Sequence, residues 1–146
     1  MYRTCRSCII FCVGASVYPL LEIISRGYTH WSMGLAGGMA FLSICGINRT
    51  FQQKAMWFKC MLGSVSITAI EFVIGCVVNI QYHLNVWDYS HMPVNLLGQV
   101  CLPFTLLWFF LCIPALKIGA FLDRVLEKLA NRILEGRRQT ALQAHK

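Results

Sequence analysis

The sequence predicts an all-α integral membrane protein: a four-helix bundle followed by a C-terminal amphipathic cytoplasmic helix. Of the 146 residues, 57% are hydrophobic and 13% are charged, whereas soluble domains carry about 25% charged residues. The mean hydropathy is +0.58. Four stretches also reach the length of about 20 apolar residues that a membrane-spanning helix needs. We therefore expect a lipid bilayer around most of the chain.

The predicted spans are joined by short connections and make up a transmembrane domain, residues 1–117. They cover roughly 8–25, 31–48, 60–80 and 96–116. The first span has a basic start like that of a signal peptide, but Glu22 stands where a small-residue cleavage pattern would close it. We interpret this segment as a retained span.

The distribution of Lys and Arg predicts the orientation of the chain. With the N-terminus in the cytoplasm, every Lys and Arg except Arg26 falls on the inner side, as the positive-inside rule requires. Both termini are then cytoplasmic, the membrane is the cell (inner) membrane, and the 81–95 connection faces outward. The net charge of +7 is consistent with anionic lipid headgroups, and no motif indicates binding to nucleic acid.

After Lys117 the chain becomes amphipathic, which defines a second segment, residues 118–146. Apolar residues recur there at helical spacing: Leu122, Val125, Leu126, Leu129, Ile133 and Leu134. This helix either continues the fourth span or lies on the inner membrane surface. It would act as a basic membrane anchor or as a docking helix for a partner, and residues 136–146 are expected to fray.

Two acidic residues lie inside predicted spans. Glu71 is about midway along the third span and is the strongest functional candidate, because a charge at the bilayer centre costs about 2.5–3.5 kcal/mol and commonly marks a solute or proton pathway. A protonated or hydrogen-bonded packing role is the alternative. Glu22 lies in the outer part of the first span, where a pair with Arg26 one turn later explains it structurally.

A polar and aromatic stretch precedes the fourth span, "VWDYSHMPVNLLGQVCLPF", residues 86–104. Trp87 would anchor at the outer headgroups and Asp88 would cap the approach to the helix. Asn95 and Gln99 are expected one turn apart on the same helix face. The predicted polar track toward the outer side consists of Glu71, Asn79, Gln81, Asn95 and Gln99.

Small residues predict where helices approach most closely. Gly34 and Gly38 form a small-xxx-small pair in the second span, a spacing that permits close helix contact. Gly98 is expected to allow a similar approach next to Gln99.

No cofactor is predicted, and a metal site has only a modest basis. His30, His83 and His91 map to the outer side together with Asp88, and these side chains can bind divalent ions, but they come from two loops without a known ligand spacing. The eight cysteines lie mostly in apolar runs, where Cys behaves as a small hydrophobe.

Sequence motifs of common enzymes are missing from the chain. It has no phosphate-binding loop, no dinucleotide fingerprint, no H-E-x-x-H and no G-x-S-x-G. We therefore expect a protein that is not an enzyme, and an energy-coupling ATPase would be a separate chain.

Three segments resemble a family of small multi-pass membrane proteins of Gram-positive anaerobes, the ABC-transporter permeases of type IV. The segments are "RGYTHWSMGLAGGMAFLSICGIN" (26–48), "ITAIEFVIGCVVN" (67–79) and "VWDYSHMPVNLLGQVCLPFTLLW" (86–108). They contain the family's intramembrane Glu (Glu71), its W-D-Y-S and its N-L-x-G-x-[IV]-C-L. The long cytoplasmic coupling loop of importer permeases is missing, so the 49–59 connection is the segment that could meet an ATPase.

The resemblance implies a permease-like, transport-associated subunit without its own ATPase. Such a subunit would self-associate or pair with another membrane chain or an ATPase. A non-transporting scaffold or regulatory protein is the alternative, and a membrane enzyme that uses the outer His and Asp residues is a third reading.

Overall fold

Four long helices account for most of the structure, a computed structural model that describes the backbone of residues 2–143 and the side chains of residues 4–136. The helices are α1 (Tyr2–Arg26), α2 (Trp31–Thr50), α3 (Met56–Gly75) and α4 (Leu102–Gln143). A π-helical segment, Cys76–Gln81, extends α3. All four helices are long and apolar enough to cross a membrane. The predicted all-α membrane bundle is thereby confirmed.

The connection between α1 and α2 is short, and the two helices pack through glycine. A Cβ atom added to Gly14 would lie 2.4 Å from the carbonyl oxygen of Gly37, and one added to Gly37 would lie 2.3 Å from Cβ of Tyr18. A Cβ on Gly38 would lie 2.5 Å from the Phe11 ring. Any larger residue at these positions would push α1 and α2 apart.

The core runs through the bundle as three adjoining apolar clusters. At the end of the bundle that is predicted to face outward, Val86 and Trp87 from the connection after α3 pack with Ala36 of α2 and Val78. The middle cluster includes Cys60 of α3 and Cys112 of α4, and the inner one joins α1 to α2. Four cysteines are buried as free thiols: Cys45, Cys60, Cys101 and Cys112. They serve there as small apolar residues.

The fourth helix begins at Leu102, six residues later than the sequence predicted. Residues Asn95–Leu96 (β1) and Val100–Cys101 (β2) instead form a two-stranded antiparallel ladder. Leu97 and Gly98, between the strands, have φ values of +52° and +68°, which a right-handed helix does not contain. The turn therefore prevents α4 from starting earlier.

The predicted amphipathic segment is continuous with the fourth span, because α4 runs unbroken from Leu102 to Gln143. On this extension Leu122 packs against the inner core cluster, whereas Leu129, Ile133 and Leu134 are exposed. Residues 144–146 of the predicted tail lie outside the described residues, as do the side chains of Arg3, Arg137 and Arg138 that contributed to the predicted orientation.

Candidate functional site

The carboxylate of Glu71 lies where α1, α3 and α4 meet, and the residue is only 4% exposed. The Tyr18 hydroxyl of α1 donates to Oε1 at 2.5 Å. The indole Nε1 of Trp108, in α4, donates to Oε2 at 2.8 Å. Each carboxylate oxygen is thus held by an aromatic donor from a different helix.

The depth of this site follows from helix geometry. Glu71 precedes Gln81, the end of the third span, by ten residues, which corresponds to about 15 Å along a helix. The hydrocarbon core of a bilayer is about 30 Å thick. The carboxylate is therefore separated from that end of the span by about half the thickness of a bilayer core.

The hydrogen bonds of Glu71 are compatible with both protonation states of the side chain. The indole of Trp108 can only donate, so Oε2 accepts in either state. The Tyr18 hydroxyl can donate to an ionised carboxylate or accept from a protonated one. This arrangement allows Glu71 to gain or lose a proton without breaking either contact.

An apolar cleft of about 190 Å³ lies between α1 and α4, beside the Glu71 site. The rings of Tyr18 and Trp108 form part of its wall, with centroids 5.4 Å apart. The rest of the lining is aliphatic along α1 and α4, for example Val17 and Leu111, and Ala40 of α2 contributes to the same surface. Both residues that hold the carboxylate therefore also line the cleft, whereas Glu71 is not among the lining residues.

Glu22 has the structural environment that the sequence suggested. Its carboxylate pairs with Arg26 one turn later and accepts a hydrogen bond from Thr29 Oγ1 at 2.6 Å. Arg26 also lies over the ring of Tyr28, 5.3 Å from its centroid. These contacts neutralise Glu22 and fix the connection that leads into α2.

A second buried polar cluster, the outer cap, consists of Asn79, Val86, Trp87 and Gln99. The Asn79 amide donates to the Trp87 carbonyl at 3.0 Å and to Gln99 Oε1 at 2.8 Å, and it accepts from the Val86 backbone at 2.7 Å. Trp87 Nε1 donates to the Gln99 carbonyl at 2.8 Å. The outer cap fastens the connection after α3 onto the end of the third span. The expectation that Trp87 anchors at the headgroups is wrong, since the side chain is buried and its Nε1 is bound to Gln99.

The predicted polar track is therefore only partly assembled. Asn79 and Gln99 meet, and Gln99 lies over Gly75, where a Cβ would come within 2.7 Å of its Oε1. Gly75 is one turn from Glu71, but the carboxylate bonds to Tyr18 and Trp108 rather than to Gln99. The predicted helical register of Asn95 and Gln99 is wrong, because both precede α4 and Asn95 is exposed.

Asn95 and Gly98 build the turn between the two short strands. Asn95 Nδ2 donates to the carbonyl of Met92 at 2.9 Å, and its Oδ1 accepts from the Gly98 backbone at 3.2 Å. A Cβ at Gly98 would lie 2.6 Å from Ser90 Oγ. The expectation that Gly98 serves helix packing is wrong, since it lies in a turn with positive φ.

Asp88 organises the loop rather than the helix start. Its Oδ1 accepts from the Ser90 backbone at 2.8 Å and from the Ser90 hydroxyl at 2.5 Å. These hydrogen bonds hold the pKa of the Asp88 carboxyl below its ordinary value, because they favour the ionised form. Next to it, Tyr89 stacks on Phe104 of α4 with centroids 4.7 Å apart.

The outer histidines are not gathered into one site. Within the part of the chain that the structure describes, no group of three His, Cys, Asp or Glu side chains is arranged to hold a metal ion. His30 precedes α2 and caps it, with Nδ1 2.8 Å from Ser32 Oγ. His83 and His91 are exposed.

The glycine pair Gly34 and Gly38 does lie on the face of α2 that meets α1. A Cβ at Gly34 would be 3.3 Å from the Ala15 carbonyl oxygen, so Gly34 is less tightly packed than Gly38. The closest backbone approach involves Gly14, which sequence reasoning did not select. Gly14 has no small partner four residues away, so the small-xxx-small search could not find it.

An inner charged cluster also escaped sequence analysis. Asp123 of α4 accepts from Arg49 at 2.7 and 2.8 Å and pairs with Arg6 at 3.0 Å. It joins α1, α2 and α4 at the end of the bundle opposite the outer cap. Asp123 lies in the predicted amphipathic segment, and no signal in the sequence connects it to residues more than 70 positions earlier.

The fold and this site together define a multi-pass membrane protein with a buried intramembrane carboxylate. The chain belongs to the family described as Putative ABC-transporter type IV, which it matches over residues 7–140. The resemblance drawn from the sequence is thereby confirmed, and the family and the four apolar helices fit a transport-associated membrane protein. A search of curated proteins and a search of solved structures each found no match.

Proposed function

We propose that the protein is a permease-like subunit of a membrane transport system, with Glu71 at its solute or proton site. The observation that carries this proposal is the midplane carboxylate, buried among three helices and held by neutral donors. Intramembrane acids mark solute and proton pathways, and transporters commonly bind solutes near the midplane. The apolar cleft beside Tyr18 and Trp108 supplies a space next to this group.

The subunit would depend on other chains for energy and for a complete pathway. The sequence has no phosphate-binding loop, so we propose that a separate ATPase drives it. Four helices form a narrow bundle, which favours self-association or pairing with another membrane subunit. The short basic connection after α2 is the candidate contact for the ATPase.

We also propose that the protein resides in the cell membrane with both termini in the cytoplasm. This orientation places the Arg6–Asp123–Arg49 cluster at the inner face and the outer cap at the outer face. The charge distribution supports it, since Arg26 is the one basic residue at the outer ends of the helices.

A flux assay on purified protein tests the transport role. Proteoliposomes that contain the chain, alone and with any ATPase that copurifies, are screened with a panel of inorganic ions, amino acids, sugars and organic cations. We expect flux of at least one solute, reduced at least about tenfold by Glu71→Gln, because the neutral amide removes the charge that the site provides.

Glu135→Gln is the matched control, since it makes the same chemical change on an exposed part of α4. It should transport like the wild type. Absence of flux for every solute in the panel, or equal flux in Glu71→Gln, would contradict the proposal.

The second candidate function is a membrane scaffold, and the exposed apolar residues of the α4 extension favour it. Leu129, Ile133 and Leu134 offer a helical surface beyond the packed bundle. A chain truncated after Lys128 keeps Asp123 and should fold. If the truncated chain loses a stoichiometric membrane partner that is not an ATPase, the scaffold function replaces the permease.

A further inference from the structure

The apolar lining of the cleft between α1 and α4 and the acidic residue held by two of its lining residues together point to one class of ligand. We propose that it binds an amphiphilic organic cation, with a quaternary ammonium group against Tyr18 and Trp108 and an alkyl chain along the cleft. This inference names the ligand class for the site of the proposed function and rests on that function.

The charge of the site is the first argument. Among the residues that the structure describes, the ion pairs of acidic side chains join Glu22 to Arg26 and Asp123 to Arg6 and Arg49. Glu71 takes part in none of these pairs, and its hydrogen-bond donors are neutral. An ionised Glu71 therefore leaves a negative charge at the midplane that a cationic ligand can balance.

The aromatic pair is the second argument. Tyr18 and Trp108 present their rings to the cleft while their polar atoms are held by Glu71. Trp and Tyr faces attract quaternary ammonium groups, which have no hydrogen to donate and are recognised by cation–π contact. The same two rings would keep the cation near the carboxylate without direct contact.

The remaining lining sets the shape of the ligand. Along α4 the cleft extends from Trp108 to Ile118, ten residues or about 15 Å, which is close to the length of an extended dodecyl chain. Its wall there consists of aliphatic groups such as Val13, Leu111 and Ile118. A cation with a polar tail would leave that tail without hydrogen-bond partners.

The depth of the site favours a free amphiphile over a membrane phospholipid as the ligand. Tyr18 precedes Arg26, the outer end of α1, by eight residues, or about 12 Å. The choline headgroup of a phospholipid lies at the membrane surface and would have to leave it to reach Tyr18. The ligand is therefore a single-chain cation rather than a bilayer phospholipid.

Equilibrium dialysis of the full chain in neutral maltoside micelles tests the inference, with radiolabelled dodecyltrimethylammonium as the probe and protein-free micelles as the blank. Dodecyl sulfate carries the same chain with the opposite charge. We expect saturable binding of the cation at least about tenfold tighter than binding of dodecyl sulfate, and excess phosphatidylcholine should not displace it.

Three variants locate the binding. Glu71→Gln should weaken cation binding at least about tenfold, and Leu111→Trp should weaken it by filling the cleft. Leu107→Trp is the matched control on the exposed surface of α4 outside the cleft, and it should bind like the wild type. Size-exclusion chromatography confirms that each variant is folded.

Equal binding of dodecyl sulfate, displacement by phosphatidylcholine, or unchanged binding in Glu71→Gln would overturn the inference. If Glu71→Gln does not fold, the comparison of the two probes on wild-type protein and the Leu111→Trp result decide it. Binding is measured without flux, so a chain that transports another solute but binds no cation would refute the ligand class alone.

Discussion

The Glu71 site and the outer cap are both buried polar clusters on the third span, yet they are built differently. Glu71 is an acid with two neutral donors and an apolar cleft at its side. In the outer cap, Asn79 satisfies its amide with three partners, and the surrounding residues are packed against Gly75. One cluster has an ionisable group and adjacent space, and the other has neither.

This difference separates a candidate for function from a structural device. A buried amide whose donors and acceptors are all paired stabilises the fold and specifies one arrangement of the chain. An ionised carboxylate with neutral partners is costly inside a membrane, and the two donors from α1 and α4 would reduce that cost whenever Glu71 is ionised. The following predictions test the contrast, from the largest expected effect to the smallest.

Removing Asn79 should have the largest effect on stability. Asn79→Leu deletes three hydrogen bonds and leaves the Val86 N–H and the Trp87 carbonyl without their partner, which should lower the free energy of unfolding by about 2–4 kcal/mol. Thermal denaturation in detergent measures the change. Gln81→Leu, on the exposed side of the same segment, is the control and should melt near the wild-type temperature.

Asp123→Asn should destabilise the inner end of the bundle by about 1–2 kcal/mol, because Arg6 and Arg49 lose a charged partner that is only partly exposed. The difference from wild type should shrink in high salt, since salt screens the pairs. Melting curves at low and high ionic strength provide the measurement. Glu127→Gln, a change on an exposed residue of α4, should show no comparable loss.

Trp108→Phe should cost about 1 kcal/mol, because it removes one hydrogen bond to Glu71 and keeps an aromatic ring. In the flux assay, the transport rate of Trp108→Phe should lie between the rates of the wild type and Glu71→Gln. Trp57→Phe is the control, since Trp57 is 62% exposed. A variant that loses stability as severely as Asn79→Leu would show that the Glu71 site is mainly a packing device.

Protonation of Asp88 should have the smallest effect of these changes, and its consequence should be local to the outer loop. The pKa of Asp88 is lowered in the folded state by the Ser90 hydrogen bonds. The stabilisation is therefore present above the ordinary Asp pKa and is lost as pH falls through the lowered value. The amide resonance of Ser90, followed by NMR between pH 6 and about 3, should shift in wild type and stay constant in Asp88→Asn.

The sequence was sufficient to predict four apolar spans, because hydropathy reveals them, and it identified Glu71 as an acid within the third of them. It could not identify Tyr18 and Trp108, since their contact with Glu71 depends on how α1 and α4 pack. The sequence did contain one signal: Tyr18 in the first span and Trp108 in the fourth lie away from the membrane interfaces, where Tyr and Trp usually occur.

The sequence did not predict the structure of the outer cap. The sequence of residues 86–104 predicts a helix start, because Asp88 is a residue type that caps helices. The pairing of Trp87 with Gln99 is a tertiary contact, and the positive φ of Gly98 is a property of the turn. The spacing of apolar residues in the sequence reveals neither of them. The short strands therefore replaced the predicted first turn of the fourth span.

The most direct test of the contrast is the melting temperature of Glu71→Gln measured beside that of Asn79→Leu. The amide of Gln can still accept from Trp108, and it removes a buried charge, so Glu71→Gln should melt close to the wild type while its flux is lost. Asn79→Leu should melt far lower. If Glu71→Gln instead melts as low as Asn79→Leu, the intramembrane carboxylate is part of the structural core and the account is contradicted.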